Sequence, residues 1–259
     1  MTSIPELLDL AITAALEAGS VIMDVYESED FDVAFKSDHS PLTKADKAAH
    51  DVIIKHLTPT KLPILSEEGS QIPYTERVNW SYFWLVDPLD GTKEFIKRNG
   101  EFTVNIALMK DGIPIVGVVY APFLDWLYSG SKDTGVSKVE ASTKTKLNPR
   151  DNQRSLESLL QQDEVIVVAS KNHMNTETEG FIAKFKKANL QSMGSSLKLM
   201  LLAEGKADIY PRLGPTMEWD TAASHAILNS LGMRVYQSNL IDELIYNKPD
   251  LLNPHFIAF

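Results

Sequence analysis

The 259-residue chain has no cysteine. That excludes disulfides, thiolate nucleophiles, iron–sulfur clusters and cysteine-based zinc sites, and it is compatible with a reducing cytoplasm. Long hydrophobic runs are also missing. Stretches such as Val165-Ile166-Val167-Val168-Ala169 are short, whereas a membrane span needs about 20 apolar residues. The N-terminal stretch has no basic region, and Glu6, Asp9 and Glu17 interrupt its apolar positions, so a signal peptide is not expected. Positive charge is in deficit: 25 Lys and Arg against 35 Asp and Glu leave a net charge of −10. Nucleic-acid binding, which needs clustered cations against phosphate, is therefore not expected. With 13 Gly and 13 Pro, the composition is neither collagen-like nor linker-like. No Gly-x-Gly-x-x-Gly, Gly-x-x-x-x-Gly-Lys-Ser/Thr or His-Glu-x-x-His motif occurs, and Gly194-Ser195-Ser196 runs into Leu197-Lys198 instead of forming a Gly-x-Ser-x-Gly elbow. Dinucleotide, P-loop, zincin and serine-hydrolase chemistries lack support.

What is present reads as globular. A 44% hydrophobic and 23% charged composition can build a sizeable core, and the length suits one large domain or two lobes. Ile4, Leu7, Leu8, Ala11, Ile12 and Ala15 recur at helical spacing, so residues 4–26 are expected to form an amphipathic helix, with Ser3 and Glu6 as a capping box. A second helix is expected from about Lys44 to Leu57, after a turn at Ser40-Pro41. Strands are expected at 62–65, 82–87, 102–109 and 113–120, with Asp111-Gly112 as the hairpin turn between the last two. A later strand (165–170), helix (176–188), helix after Gly194, short strand (208–211) and helix (about 221–231) follow. An antiparallel hairpin among helices argues for α+β or a layered α/β sandwich, not a doubly wound sheet. The polar stretch 137–154 is the expected boundary between an N-terminal lobe (1–140) and a C-terminal lobe (141–259).

Three acidic motifs sit at the ends of expected elements: Ser66-Glu67-Glu68-Gly69, Asp87-Pro88-Leu89-Asp90-Gly91-Thr92, and Glu218-Trp219-Asp220-Thr221. Asp87 ends a strand, and Pro88 is expected to stop the ladder. Asp90 lies three residues further on, so the two carboxylates can converge on one hard cation, with the Leu89 carbonyl as a third oxygen. Gly91 allows close backbone approach, and Glu67 can join from a different strand. Oxygen-only donors suit Mg²⁺ or Mn²⁺ rather than Zn²⁺. Each motif also has an ordinary role: an exposed acidic turn, a strand-ending turn and a helix cap. All three together are less easily explained by structure alone.

The pattern Glu-Glu, Asp-Pro-Leu-Asp-Gly-Thr and Trp-Asp resembles the inositol monophosphatase superfamily of Mg²⁺-dependent, lithium-sensitive phosphatases. The continuation from Thr92-Lys93-Glu94-Phe95 to Leu108, with Asp38–Asp46, Gly194–Lys198 and Tyr210-Pro211-Arg212, is most similar to its bisphosphate nucleotidase branch. The resemblance spans the first helix to Asn253-Pro254. It implies an αβαβα sandwich, two or three Mg²⁺ ions (Mn²⁺ substituting) and metal ligands at Glu67, Asp87, the Leu89 carbonyl, Asp90 and Asp220. Asp46 and Thr92 would orient the attacking water. Glu68 would stand behind Glu67, while Lys36 and Asp38 would either help order a weakly held metal or form a surface ion pair. Substrate contacts would come from Glu67, Gly91, Thr92, His173, Ser195, Ser196, Lys198, Arg212 and Asp220. The implied substrate is adenosine 3′,5′-bisphosphate, a by-product of sulfate assimilation, with its sulfated analogue as a further candidate. Inositol monophosphatase or fructose-1,6-bisphosphatase activity is the alternative within the same chemistry, and a metal- or anion-binding sensor is the non-enzymatic one. The expected location is the cytoplasm, with the cytoplasmic face of the inner membrane as an alternative, and monomer and homodimer are both open.

Overall fold

The computed structural model describes residues 2–28, 34–35, 41–149, 155–169 and 174–259. In chain order the elements are α1 (Ile4–Glu27), β1 (Ala34–Phe35), β2 (Pro41–Leu42), α2 (Lys44–Leu57), β3 (Ile64–Ser66), α3 (Tyr74–Arg77), β4 (Tyr82–Asp90), α4 (Thr92–Ile96), β5 (Thr103–Lys110), β6 (Ile113–Ala121), β7 (Trp126–Ser131), β8 (Gly135–Glu140) and β9 (Thr143–Leu147). The second half contributes α5 (Leu156–Gln161), β10 (Val165–Val168), α6 (Thr176–Ile182), β11 (Ala188–Gln191), α7 (Leu197–Glu204), β12 (Tyr210–Arg212), α8 (Glu218–Ser230), β13 (Val235–Gln237) and β14 (Phe256–Ala258).

The main sheet has the order β3-β4-β5-β6-β7-β8-β9, antiparallel except for the β3–β4 pair. Side chains alternate across a strand, so β4 and β5 feed two cores. Trp84, Val86, Ile106 and Leu108 pack against α1 and α2 on one face. Phe83, Leu85, Ala107 and Met109 pack against α7 and α8 on the other. Beyond α7 and α8 lie the β10–β11 pair and the β12-β14-β13 sheet, whose far side is covered by Leu159 of α5 and Phe181 of α6. The layers are therefore α, β, α, β, α, and a mixed α/β sandwich is the observed fold. Gly117 permits the close approach of β6 to α8, because a Cβ there would run into the carbonyl oxygen of Ala223.

The Ser3/Glu6 capping box forms, with Ser3 N donating to Glu6 Oε2 at 2.8 Å. Asp111 (φ +50°) and Gly112 (φ +76°) make the expected hairpin turn, whose positive φ values match strand twist. The structure departs from sequence expectation in three places. The polar stretch from 137 is not a linker up to 147: β8 and β9 form a hairpin that extends the main sheet across residue 140. This pair escaped notice because β9 buries nothing fully, so its strand period carries no hydrophobic signal. The 176–188 helix ends at Ile182, and Ala188 already begins β11. Finally, β4 continues through Pro88 to Asp90.

Candidate active site

The continuation of β4 past Pro88 creates the geometry of the site. Asp87 pairs with Asn105 and Asp90 with Thr103, so the two residues between them on β4, Pro88 and Leu89, face the single residue Val104 on β5. That is a bulge, which absorbs the proline's missing N–H and re-aims the carboxylates. Asp87 is buried, and its Oδ1 accepts from Leu89 N at 3.1 Å, which folds the chain back between the two aspartates. Gly91 follows at φ +92°, and Thr92 opens α4.

The first turn of α8 supplies Asp220, whose Oδ2 accepts from Met217 N at 2.8 Å. Asp87, Asp90 and Asp220 can each offer an oxygen, and these oxygens lie within 4.8 Å of one another. Glu67 lies just beyond β3, tied by its N–H to Val86 O at 3.1 Å. It lines the same recess as the three aspartates, together with Leu89 and Thr92. Burial, then the charges of Glu67, Asp90 and Asp220, push the Asp87 carboxyl well above the usual carboxylate range. Burial and then Asp90 do the same to Asp220. A divalent cation among these oxygens would remove both the repulsion and the desolvation cost, and an all-oxygen donor set fits a hard ion.

Asp46 occupies the third position of α2. Its Oδ2 accepts from Thr43 N at 2.7 Å and Thr43 Oγ1 at 2.6 Å, while Oδ1 accepts from Thr92 Oγ1 at 3.2 Å. The sequence-predicted water-orienting pair is therefore in hydrogen-bond contact. The Leu89 carbonyl is a second acceptor for Thr92 Oγ1, at 3.4 Å.

Beside the acidic recess is a cavity of about 300 Å³, sharing Asp90, Gly91 and Asp220 with it and lined further by Lys198, Tyr210 and Arg212. Lys198 Nζ donates to Met193 O at 3.1 Å. Burial pushes this lysine down to about 8, against the opposing pull of Asp90. Arg212 donates to Pro215 O at 3.0 Å, and its Nε is buried with no acceptor among the described residues. Two cations beside a cluster of acids give the cavity donors suited to an anionic group, set apart from the acidic cluster. Ser195 and Ser196 line the cavity too, but their hydroxyls lie on Asp90 Oδ2 at 2.5 Å and 3.0 Å. His173, Lys36 and Asp38 lie outside the described residues.

Two polar residues near the site carry no role in the sequence reading. Thr103 and Asn105 are 0% and 1% exposed on β5 and bond Ser195 and Ser196. A signal existed: they sit two apart, on one face of an otherwise apolar strand, where buried polar groups require partners.

The model of the inositol monophosphatase family matches residues 4–255. A 3′(2′),5′-bisphosphate nucleotidase CysQ of Escherichia coli (strain K12) is 43% identical over 256 residues, covering 96% of this chain and 98% of the relative. The CysQ of Buchnera aphidicola is 44% identical over 235 residues, covering 89% and 84%. Among solved structures, CysQ from Bacteroides thetaiotaomicron, described as a bacterial member of the inositol monophosphatase family, superposes with a TM-score of 0.82 at 47% identity, covering 97% of this chain and 96% of that one. With a bulged strand and a helix start converging their aspartates, and a family match over nearly its whole length, this chain belongs to the inositol monophosphatase family.

Proposed function

We propose that the protein is a divalent-metal-dependent 3′(2′),5′-bisphosphate nucleotidase, hydrolysing the 3′-phosphate of adenosine 3′,5′-bisphosphate to give AMP and phosphate. One observation carries this reading: the cavity holding Lys198 and Arg212 opens beside the Asp87, Asp90 and Asp220 cluster. A substrate with two separated phosphates needs both regions. The likeness to proteins named CysQ supports the same substrate class.

Glu67, Asp87, Asp90, Asp220 and the Leu89 carbonyl would hold the metal, taken as Mg²⁺ in two or three copies with Mn²⁺ able to substitute. When bound, it would acidify a water and neutralise charge on the leaving oxygen. Thr92 Oγ1 directs its proton to Asp46 Oδ1, so its lone pairs accept a hydrogen bond from the attacking water. Asp46 is itself fixed by Thr43, which holds Thr92 in that orientation. Lys198 and Arg212 anchor the 5′-phosphate and so place the 3′-phosphate against the aspartates. The sulfated analogue, with its added charge on the 5′ side, would use the same pair.

Phosphate release from purified protein tests the reading. With Mg²⁺ present, adenosine 3′,5′-bisphosphate should be hydrolysed much faster than inositol 1-phosphate, with no turnover in chelator and inhibition by lithium. Equal rates on the two substrates, or the reverse order, would overturn the substrate assignment, and turnover in chelator would overturn the metal.

A further inference from the structure

Every hydrogen-bond donor that reaches Asp90 among the described residues lands on one oxygen, Oδ2: Ser195 Oγ at 2.5 Å, Ser196 Oγ at 3.0 Å and Asn105 Nδ2 at 3.4 Å. Behind them is a second row. Thr103 Oγ1 is 2.5 Å from Ser195 Oγ, and Asn105 Nδ2 donates to Ser196 Oγ at 2.9 Å. Ser195 donates to Asp90 and Asn105 to Ser196, so Thr103 turns its one proton toward Ser195 and shares it with Asn105 Oδ1 at 3.1 Å. Ser196 shares its one proton between Asp90 Oδ2 and the Asp220 carbonyl, the latter at 2.8 Å, so the same turn touches both aspartates.

The turn is built to do this. Ser195 has φ +51°, a region costly for a residue with a Cβ. Gly194 is pressed so near Glu101 that a Cβ would strike the Glu101 carbonyl oxygen. The strain at Ser195 persists because its hydroxyl is fixed between Thr103 and Asp90.

We propose that Thr103, Asn105, Ser195 and Ser196 are positioning residues that hold Asp90 as a one-oxygen ligand and thereby favour Mg²⁺ over Ca²⁺. The inference rests on the reading of Asp90 as a metal ligand. A carboxylate whose Oδ2 is committed to protein donors offers a cation only Oδ1. Mg²⁺ is small and demands near-octahedral geometry, which single oxygens satisfy. Ca²⁺ is larger, accepts more ligands and often takes both oxygens of one carboxylate. Freeing Asp90 to turn would therefore cost Mg²⁺ more than Ca²⁺. Loss of an outer hydrogen bond to a ligand typically costs about 10–100-fold in metal affinity.

Thr103→Val keeps the shape and removes the hydroxyl, and Thr103→Ser restores it. Calorimetric titration of the full chain with Mg²⁺ and with Ca²⁺, in the absence of substrate, should show Mg²⁺ affinity falling about tenfold in Thr103→Val, with Ca²⁺ affinity changed much less. Thr103→Ser should keep the parent ratio. Ser196→Ala is the second variant and should shift the ratio in the same direction, so the test survives if Thr103→Val does not fold. Parent-like affinities in the folded variants, or Mg²⁺ and Ca²⁺ weakened in equal proportion as general loosening would produce, would overturn the inference. Absence of divalent-cation binding to the parent protein would overturn the metal site itself, a distinguishable failure.

Discussion

Asp46 and Asp220 each cap a helix with the carboxylate that the proposed mechanism also uses. Each sits at the third position of a helix and accepts a hydrogen bond from the backbone N–H that precedes it, from Thr43 in one case and Met217 in the other. The structural and functional readings of such residues are therefore compatible, and a helix start is a place where a carboxylate is already held in position. Thr92 depends on this. Thr92→Val should lower kcat by about 10²–10⁴, while Thr92→Ser keeps the Oγ and most of the rate; steady-state phosphate release compares them. Asp87 makes the opposite point. Its ionised form is disfavoured by burial and by three neighbouring acids. In chelator, Asp87→Asn should raise stability at pH 7, because the amide carries no charge to bury among the acids, yet it should lose the stabilisation that Mg²⁺ gives the parent, as melting curves with and without metal would show. At this scale the acidic positions were legible because they sit in short dense motifs. The roles of Thr103 and Asn105 were not, because a buried hydroxyl or amide declares its partner only when distant segments meet.

Among the elements, α8 does the most to join the layers. It lays one side against the main sheet and carries His225 toward the 243–246 segment, where Nδ1 lies 2.9 Å from the Tyr246 hydroxyl and Nε2 lies 3.4 Å from Glu243 Oε2. His225 is 1% exposed. Burial lowers its pKa below the ordinary 6.5; Glu243 opposes that shift and Arg234 reinforces it. The unfolded chain then takes up a proton near pH 6.5 that the folded chain refuses, so stability falls as pH drops below that value and is unaffected well above it. Urea midpoints should therefore decline from pH 7.5 to 5.5. His225→Gln, which keeps a polar group but does not titrate, should flatten the decline, leaving the contribution of His50, lowered by burial in the same sense. A slope unchanged by the substitution would remove His225 as its source. The helices α1 and α2 and the β5–β6 hairpin were readable from periodicity and turn residues because their buried faces are regular. The bulge in β4 was not, since Pro88 reads as an end to the ladder and only the pairing of Asp90 with Thr103 reveals that it continues.

Across the whole molecule, the proposed reading draws chemistry and recognition from different parts of the chain. Glu67, Asp87, Asp90 and Thr92 come from the first half, and Lys198, Arg212 and Asp220 from the second, with Asp220 crossing to complete the acidic cluster. The sequence placed a boundary in 137–154, but the main sheet runs on through β9, and no composition signal marks a strand that buries so little. This division makes the second phosphate separable from the first. A hydrogen bond to a charged group contributes about 1.5–3 kcal/mol, or about 10–100-fold in rate at 1.4 kcal/mol per decade. Arg212→Ala should then lower kcat/KM on adenosine 3′,5′-bisphosphate by about that factor, with KM taking most of the change if, as proposed, the arginine holds the unreacting phosphate. Inositol 1-phosphate has no second phosphate to lose, so its slower hydrolysis should stay within about twofold of the parent, under 0.5 kcal/mol. Parallel assays of the two substrates read the difference directly. Equal losses on both would mean that Arg212 acts on the reacting phosphate, and the second half of the chain would then supply catalysis rather than selectivity.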